Sequence, residues 1–422
     1  MSRLVARLHR LATMTRAAYT ETGSVRHAAA FATRFVRAKA PLLLLHVRQS
    51  WPGASAPRRR AREASQASGQ PLLAVKIGGG VGDYLVAARF LRDLLAAVEP
   101  CQVFLYANAP ERAVWLCGAL PGYQAVYADS LFDLDAPAYD LALTVNSLAA
   151  VYPTRITAAL RAALRAAPRL LAVRATLWRH QQPLTAYITH HPRLDNGLAR
   201  YAVVTGHTRR DFLHYCAGLS YGGDLYPVPR TPHRVASVRG RPYITIHNGF
   251  DQHFIISGQT ATKCYPHFEA VVAGLKRVFP DILVVQVGVH TSERLPSVDL
   301  DVLNQTTLRE AADLIAGAVL HIDNEGGFVH LARALGVQSA VVYGPTPSAY
   351  FGYPGNIALD PPVCGDCWWL TESWMSRCLR GHKHPPCLAD QPPEVVTARI
   401  IPVLRAVLGA TEDVPKVVGE AR

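Results

Sequence analysis

The 422-residue chain is short of charge: Asp, Glu, Lys and Arg make up 18% of it, against 50% hydrophobic residues. That balance excludes a disordered chain and calls for well-buried cores. No apolar run approaches the ~20 residues that a membrane helix needs; the longest, Pro41–Val47, is far shorter. Arg3, Arg7 and Arg10 break up the start, so a secretory signal with an apolar centre fits poorly. Eight cysteines are too few for a disulfide scaffold in a chain of this length. Thirty Gly and thirty Pro are spread without period, which leaves no collagen-like or low-complexity class.

Acidic residues are nearly missing from the first 70 positions. Glu21 and Glu63 stand there against thirteen Lys/Arg, while the other 352 residues hold 31 Lys/Arg against 29 acids. The net charge of +13 therefore describes a basic arm on a nearly neutral body. Such an arm suits an anionic surface, or is a solvated extension. Leu4, Leu8 and Leu11 share one helical arc beside Arg3, Arg7 and Arg10, as in a helix lying on a membrane surface. An organelle transit peptide has the same Arg-rich, acid-poor character.

Residues 51–70, rich in Ala, Ser, Gly, Pro and Arg, read as a linker, so the fold is expected to begin at Pro71. From there short apolar runs alternate with helical spacing. Leu72–Ile77, Val103–Tyr106 and Leu141–Val145 read as buried strands, and Tyr84–Ala97 as a helix. A second Gly/Pro/Arg-rich stretch, 219–241, reads as an interdomain linker. The strand–helix series then restarts with strands at Tyr243–His247, Ile282–Val287, Val319–Asp323 and Ala340–Tyr343. Helices are expected at His267–Val278, Thr307–Ala316, Phe328–Leu335 and Pro393–Val407. Alternation of this kind predicts an α/β protein with two doubly wound parallel sheets, ligands lying at the carboxyl ends of the strands. The expected divisions are a basic extension (1–70), a first domain (71–235) and a second domain (236–422) with a Cys-rich insertion at 364–387.

Five loops at strand ends carry polar chemistry. Gly78-Gly79-Gly80-Val81-Gly82-Asp83 has neither the spacing of a dinucleotide fingerprint nor the Lys-Ser/Thr of a P-loop. Asp83 is either a helix cap or a carboxylate facing a cleft. His247-Asn248-Gly249 closes the first strand of the second series. Lys263, before the next helix, is placed either to neutralise a phosphate or simply to be solvated. In Asp323-Asn324-Glu325-Gly326-Gly327-Phe328-Val329-His330, the two glycines open a helix N-terminus to a diphosphate. Glu325 there suits sugar hydroxyls or a cation better than a phosphate, and His330 lies one turn in. Gly344-Pro345-Thr346 follows the next strand.

The set resembles the family 9 glycosyltransferases, the heptosyltransferase group of bacterial lipopolysaccharide core synthesis, over about residues 71–407. Ile77–Asp83 is similar to the family's "GD" loop, and Lys263-Cys-Tyr-Pro266 to its K-x-W-P segment with Tyr for Trp. Asn324–His330 is similar to N-D-S-G-x-x-H with Glu325 for Asp and Gly326 for Ser/Thr, and Gly344–Thr346 to the F-G-P-T turn with Tyr343 for Phe. The resemblance implies a GT-B fold, with acceptor in the first domain and nucleotide-sugar in the second. It implies inverting transfer with Asp83 as general base and Lys263 stabilising the leaving diphosphate. Gly82, Gly249, Glu325, Gly326, Gly327, His330, Gly344, Pro345 and Thr346 would bind the donor. No catalytic metal is obligatory, although Mg²⁺ would help. The acceptor would be lipopolysaccharide or another envelope glycan, at the cytoplasmic face of the inner membrane, with no nucleic acid involved. The departures at 325 and 326 leave the donor sugar open. A nucleotide-sugar epimerase or hydrolase of the same fold is one alternative, and a protein O-heptosyltransferase another. A non-enzymatic zinc-stapled binder ranks below both.

Cys364, Cys367, Cys378 and Cys387 form C-x2-C-x10-C-x8-C. That spacing suits a tetrahedral thiolate site for structural zinc, or for iron; unligated thiols or a disulfide are the alternatives. Some relatives within the resemblance carry Cys-rich segments here, including protein heptosyltransferases with bound iron.

Overall fold

The computed structural model describes residues 52–153, 166–189, 195–230, 240–250, 262–289, 291–371 and 374–412, with isolated positions between 12 and 36 and Val238. Leu4, Leu8 and Leu11 of the amphipathic arc lie outside the described residues.

The first domain holds β1 (Leu72–Ile77), α2 (Val81–Ala97), β2 (Gln102–Ala107), α3 (Pro110–Cys117), β3 (Tyr123–Ala128), α4 (Phe132–Asp135), β4 (Leu141–Val145) and β5 (Ala149–Val151). It continues through α5 (Pro168–Thr189), α6 (Asp195–Val204) and α7 (Phe212–Ala217). Its sheet runs β3-β2-β1-β4-β5, parallel except for β5, which returns antiparallel on β4. The period-two geometry of a strand sends alternate side chains of β1 to opposite faces. Leu73, Val75 and Ile77 pack with α2, whereas Leu72 and Ala74 join Phe104, Tyr106 and Phe132. Each fully buried aliphatic or aromatic side chain contributes about 1.5–3 kcal/mol.

One expectation fails before β1. Residues 51–70 are not a loose linker, because Pro52–Gln66 forms a helix, α1. Its Arg58 is buried, with Nε 2.7 Å from Asp135, and Arg62 stacks over Tyr139. Arg58, Ala61 and Arg62, which looked like linker composition, are instead the docking face of a helix covering the sheet. The fold therefore starts before Pro71.

The second domain holds β6 (Tyr243–His247), α8 (Phe268–Val278), β7 (Leu283–Gln286), β8 (Leu300–Asp301), α9 (Leu308–Ala316), β9 (Leu320–Asn324), α10 (Gly327–Ala334) and β10 (Ser339–Val342). It ends with α11 (Ser348–Phe351), β11 (Ile357–Leu359), α12 (Pro386–Ala389) and α13 (Pro393–Glu412). The sheet order is β11-β10-β9-β6-β7-β8, all parallel. Thr307 caps α9 through the reciprocal Thr307–Glu310 arrangement that the sequence predicts. Two parallel-sheet α/β domains of this order make a GT-B fold.

The domains share one apolar cluster that runs from α2 into α9 and α10. α2 and α10 pack with their N-terminal ends together. A Cβ on Gly82 would stand 2.5 Å from His330 Cδ2, and one on Gly327 would stand 2.3 Å from Val81 Cγ1. Only glycine at these two positions lets the helix starts come so close. The resulting approach brings the end of β1 to the end of β9. Among the described residues no helix is long and apolar enough to cross a membrane.

Candidate functional site

The site is built where α2 and α10 begin. Asp83, at the third position of α2, accepts a hydrogen bond on Oδ2 from the Gly80 N–H at 2.9 Å. It therefore does cap its helix. Its Oδ1 accepts from Arg209 Nη2 at 2.8 Å, and the side chain is about a third exposed. Two of the carboxylate's roughly four lone-pair directions are thus engaged, and the remainder is open to a proton-bearing ligand. Arg209 is itself buried, donates through Nη1 to the Asn146 carbonyl at 3.0 Å, and is tied by its backbone N–H to the Tyr350 carbonyl at 2.8 Å. Arg209 thus ties Asp83 of the first domain to Tyr350 of the second.

Across from Asp83, the loop from β9 into α10 carries Glu325, Gly326 and Gly327. The first N–H groups of a helix have no partner inside it and carry the positive end of its dipole. Lys263 is brought to this point by Asn324, whose buried side-chain oxygen accepts from the Tyr265 N–H at 2.8 Å. Lys263 Nζ then lies 3.8 Å from Glu325 Oε2, and 3.9 Å from where a Gly326 Cβ would be. Lys263 is mostly shielded rather than a solvated surface group. Burial pushes the Glu325 carboxyl above its ordinary range, while Lys263 and a hydrogen bond from the buried Thr346 hydroxyl pull it back.

His330 Nε2 is 3.9 Å from Glu325 Oε1, and Nδ1 is 2.6 Å from the Tyr353 hydroxyl. Burial, then the positive charges of Arg209, Arg89 and Lys263, lower its pKa to about 3. His330 is consequently a neutral imidazole at any ordinary pH.

Asp83, Gly82, Lys263, Glu325, Gly326, Gly327, His330 and Thr346 therefore converge. Gly249 lies beside Ser292 and His247, past the end of β6. In register with Asp323 across β6 and β9, His247 places Nδ1 2.8 Å from the Asp323 carboxylate and stacks its ring edge-on against Phe328. Burial opposes the charge on Asp323, but His247 and His321 prevail and hold its pKa below the ordinary value. Gly344 and Pro345 precede Thr346 in the turn after β10. Their carbonyls accept from the N–H groups of Asp366 at 3.3 Å and Trp368 at 2.9 Å, so the turn anchors the cysteine segment. Arg209, Arg89 and Tyr353 are missed by the sequence reading. Each belongs to the site only through contacts between residues far apart in the chain, and no local motif marks them.

All four cysteines of the segment are unpaired. Burial and then the neighbouring thiols push Cys367 up to about 11 and Cys387 up to about 12. Cys364, Cys367, Cys378 and Cys387 thus lie close enough to sense one another, and the donor chemistry suits a thiophilic ion. Among the described residues, however, no three His, Cys, Asp or Glu side chains close into an ion-holding group. The backbone around Cys367 is tied to Gly344 and Pro345, while Cys364 and Cys387 interact through their side chains.

Residues 254–360 match the family model for glycosyltransferase family 9 (heptosyltransferase). The match takes in Lys263, the β9–α10 loop and the Gly344 turn. Among solved structures, the chain is similar to the dodecameric iron-containing heptosyltransferase TibC in complex with ADP-D-beta-D-heptose. Identity is 15%, with 80% of this chain and 77% of that chain covered and a TM-score of 0.53. Its likeness to the iron-containing dodecameric glycosyltransferase TibC from enterotoxigenic E. coli H10407 is also 15% in identity, covering 81% and 80%, with a TM-score of 0.51. These likenesses show the fold. No curated protein sequence matches the chain.

Proposed function

We propose that this chain, a heptosyltransferase-like glycosyltransferase of family 9, transfers heptose or a related sugar from a nucleoside diphosphate donor to a hydroxyl of lipopolysaccharide or another cell-envelope glycan, with inversion. The observation that carries the reading is the meeting of Asp83 with the Gly326–Gly327 helix start across two glycine contacts. An acceptor hydroxyl gives its proton to the open lone pairs of Asp83 as its oxygen bonds to the anomeric carbon. The bond from that carbon to the diphosphate breaks on the opposite face, and the electron pair leaves with the diphosphate. Lys263 and the start of α10 offset the charge that develops there. Glu325 and Thr346 receive donor hydroxyls, and neutral His330 contributes a hydrogen bond. The basic residues that precede α1 would hold the enzyme against the anionic cytoplasmic face of the inner membrane.

Replacing Asp83 with Asn keeps its size and removes its basicity. Transfer should fall by at least about 10²-fold while donor binding, read by calorimetry, stays within a few-fold. Full transfer by that variant removes Asp83 as the base. Sugar release without acceptor at the transfer rate would instead favour a hydrolase.

For the cysteine segment the proposal is a structural zinc or iron ion on Cys364, Cys367, Cys378 and Cys387, with no part in the reaction. Plasma emission analysis of the purified protein should find one equivalent per chain, lost together with thermal stability in the paired variant Cys364→Ser/Cys387→Ser. Metal-free protein with an unchanged melting temperature would remove the ion.

A further inference from the structure

We propose that Arg89 and Tyr353 are positioning residues that fix His330 as an Nε2–H donor toward Glu325 and the start of α10. The inference deepens the reading of that site as the donor-binding centre, but its core does not depend on a donor being bound.

Arg89 lies on α2, seven residues beyond Gly82 and so on the same face, the one packed against α10. Its side chain is fully buried. A guanidinium donates and never accepts. Its Nη1 reaches the Tyr221 hydroxyl at 3.3 Å, while Nε and Nη2 meet no partner within hydrogen-bonding geometry. Tyr353 sits near enough for its hydroxyl to interact with that cation. A buried charge of this kind is costly unless oxygen lone pairs turn toward it.

The two hydroxyls beside Arg89 have their protons directed elsewhere. Tyr221 donates to Asp224 Oδ1 at 2.5 Å, leaving its lone pairs for Arg89. Tyr353 faces the same cation, so its oxygen turns lone pairs to Arg89 and its single proton goes outward. The outward partner is His330 Nδ1 at 2.6 Å. A ring nitrogen that accepts a hydrogen bond carries no proton. In a neutral imidazole the proton then resides on Nε2, the nitrogen 3.9 Å from Glu325 Oε1. The Cδ2 edge of the ring is nearest Gly82, where any side chain would displace it. His330 is therefore an uncharged donor with a fixed direction. That direction runs toward Glu325 Oε1, which at 3.9 Å is too far for a direct hydrogen bond, and leaves the N–H free for a diphosphate or donor hydroxyl in the complex. His330 is no proton acceptor during transfer, which leaves that task to Asp83.

The test reads the tautomer directly in full-length protein without ligand. With histidine ring nitrogens labelled by ¹⁵N, the signals of His330 are assigned by their loss in His330→Gln. At neutral pH, Nδ1 should resonate as an unprotonated nitrogen and Nε2 as a protonated one. The reverse pattern, or fast exchange between the two, overturns the proposal whatever the enzyme transfers. Tyr353→Phe and Arg89→Met should each mix the tautomers and lower kcat about tenfold, with His330 still neutral. Arg89→Lys, which keeps the cation, should restore most of the single-tautomer spectrum. An unchanged spectrum in Tyr353→Phe also overturns it. Transfer activity that proves absent in the wild type, beside the expected spectrum, would count against the donor-site reading alone.

Discussion

Arg209 Nη2 lies 2.8 Å from Asp83 Oδ1, and that contact crosses more of the molecule than any motif does, joining residues 126 positions apart. The guanidinium points one carboxylate oxygen while Gly80 holds the other. The base therefore has a fixed orientation before any acceptor arrives.

Arg209→Met should release that orientation. Misplacing a reacting group by about 1 Å costs on the order of 10²-fold in rate, so kcat should fall by about that factor with donor KM changed far less. Loss of the bond to the Asn146 carbonyl should also lower the melting temperature. Steady-state kinetics and a thermal melt measure both. A kcat within twofold of wild type means that Gly80 alone orients Asp83.

The pattern of strands and helices is plain in the sequence because buried parallel strands are short continuous apolar runs. Leu72–Ile77, Leu141–Val145 and Tyr243–His247 begin and end where the pattern puts them. The loops at 83, 263, 325 and 330 are legible because glycine and charge sit together at strand ends. What is not legible is whatever depends on distant pairing. Pro52–Gln66 has linker composition but forms a helix whose arginines meet Asp135 and Tyr139, partners more than 70 positions on. Ala149–Val151 turns back antiparallel, which three small apolar residues cannot announce. Arg89 looks like an ordinary helix-surface arginine until α10 covers it.

Acid should expose the burial of His330. Its pKa is about 3 in the folded chain against 6.5 when unfolded. Below pH 6.5 the unfolded chain takes up a proton that the folded one refuses. The stability from this group is thus complete above pH 6.5 and is lost as pH falls toward 3, at up to about 1.4 kcal/mol per pH unit. Urea unfolding at pH 7 and pH 5 should show wild type losing about 2 kcal/mol more than His330→Gln over that interval. Equal losses in the two proteins would mean that the imidazole is solvated.

The helix at Pro52–Gln66 should matter for folding, beyond any role of the preceding residues at a membrane. Arg58 and Asp135 are each about 5% exposed and 2.7 Å apart, and Tyr106 donates to the same carboxylate oxygen at 3.0 Å. Breaking a buried pair by removing one partner costs about 3–5 kcal/mol. Arg58→Met should therefore lower unfolding free energy by that amount, while Arg59→Met, where the wild-type side chain is exposed and pairs with Glu63, should change it by less than about 0.5 kcal/mol. Paired denaturant curves decide it, and equal effects from the two substitutions would place α1 off the sheet.

Gly82 gives the most economical probe of the contact between domains. A methyl group there would stand 2.5 Å from His330 Cδ2 and 3.3 Å from Nε2, so either the ring or the helix must move. Overpacking of a well-packed contact costs about 1–3 kcal/mol. The same displacement carries Nε2 away from Glu325 and shifts the start of α2 that carries Asp83. Gly82→Ala should therefore remain folded, with a melting temperature lowered by several degrees, yet lose transfer by about 10²-fold. Gly336→Ala is the control, because nothing lies within 4 Å of its added methyl group, although its φ of +81° imposes backbone strain. That variant should match the loss of stability and keep the activity. If Gly82→Ala and Gly336→Ala lose transfer only in proportion to their melting temperatures, the close approach of α2 to α10 serves packing and not the reaction.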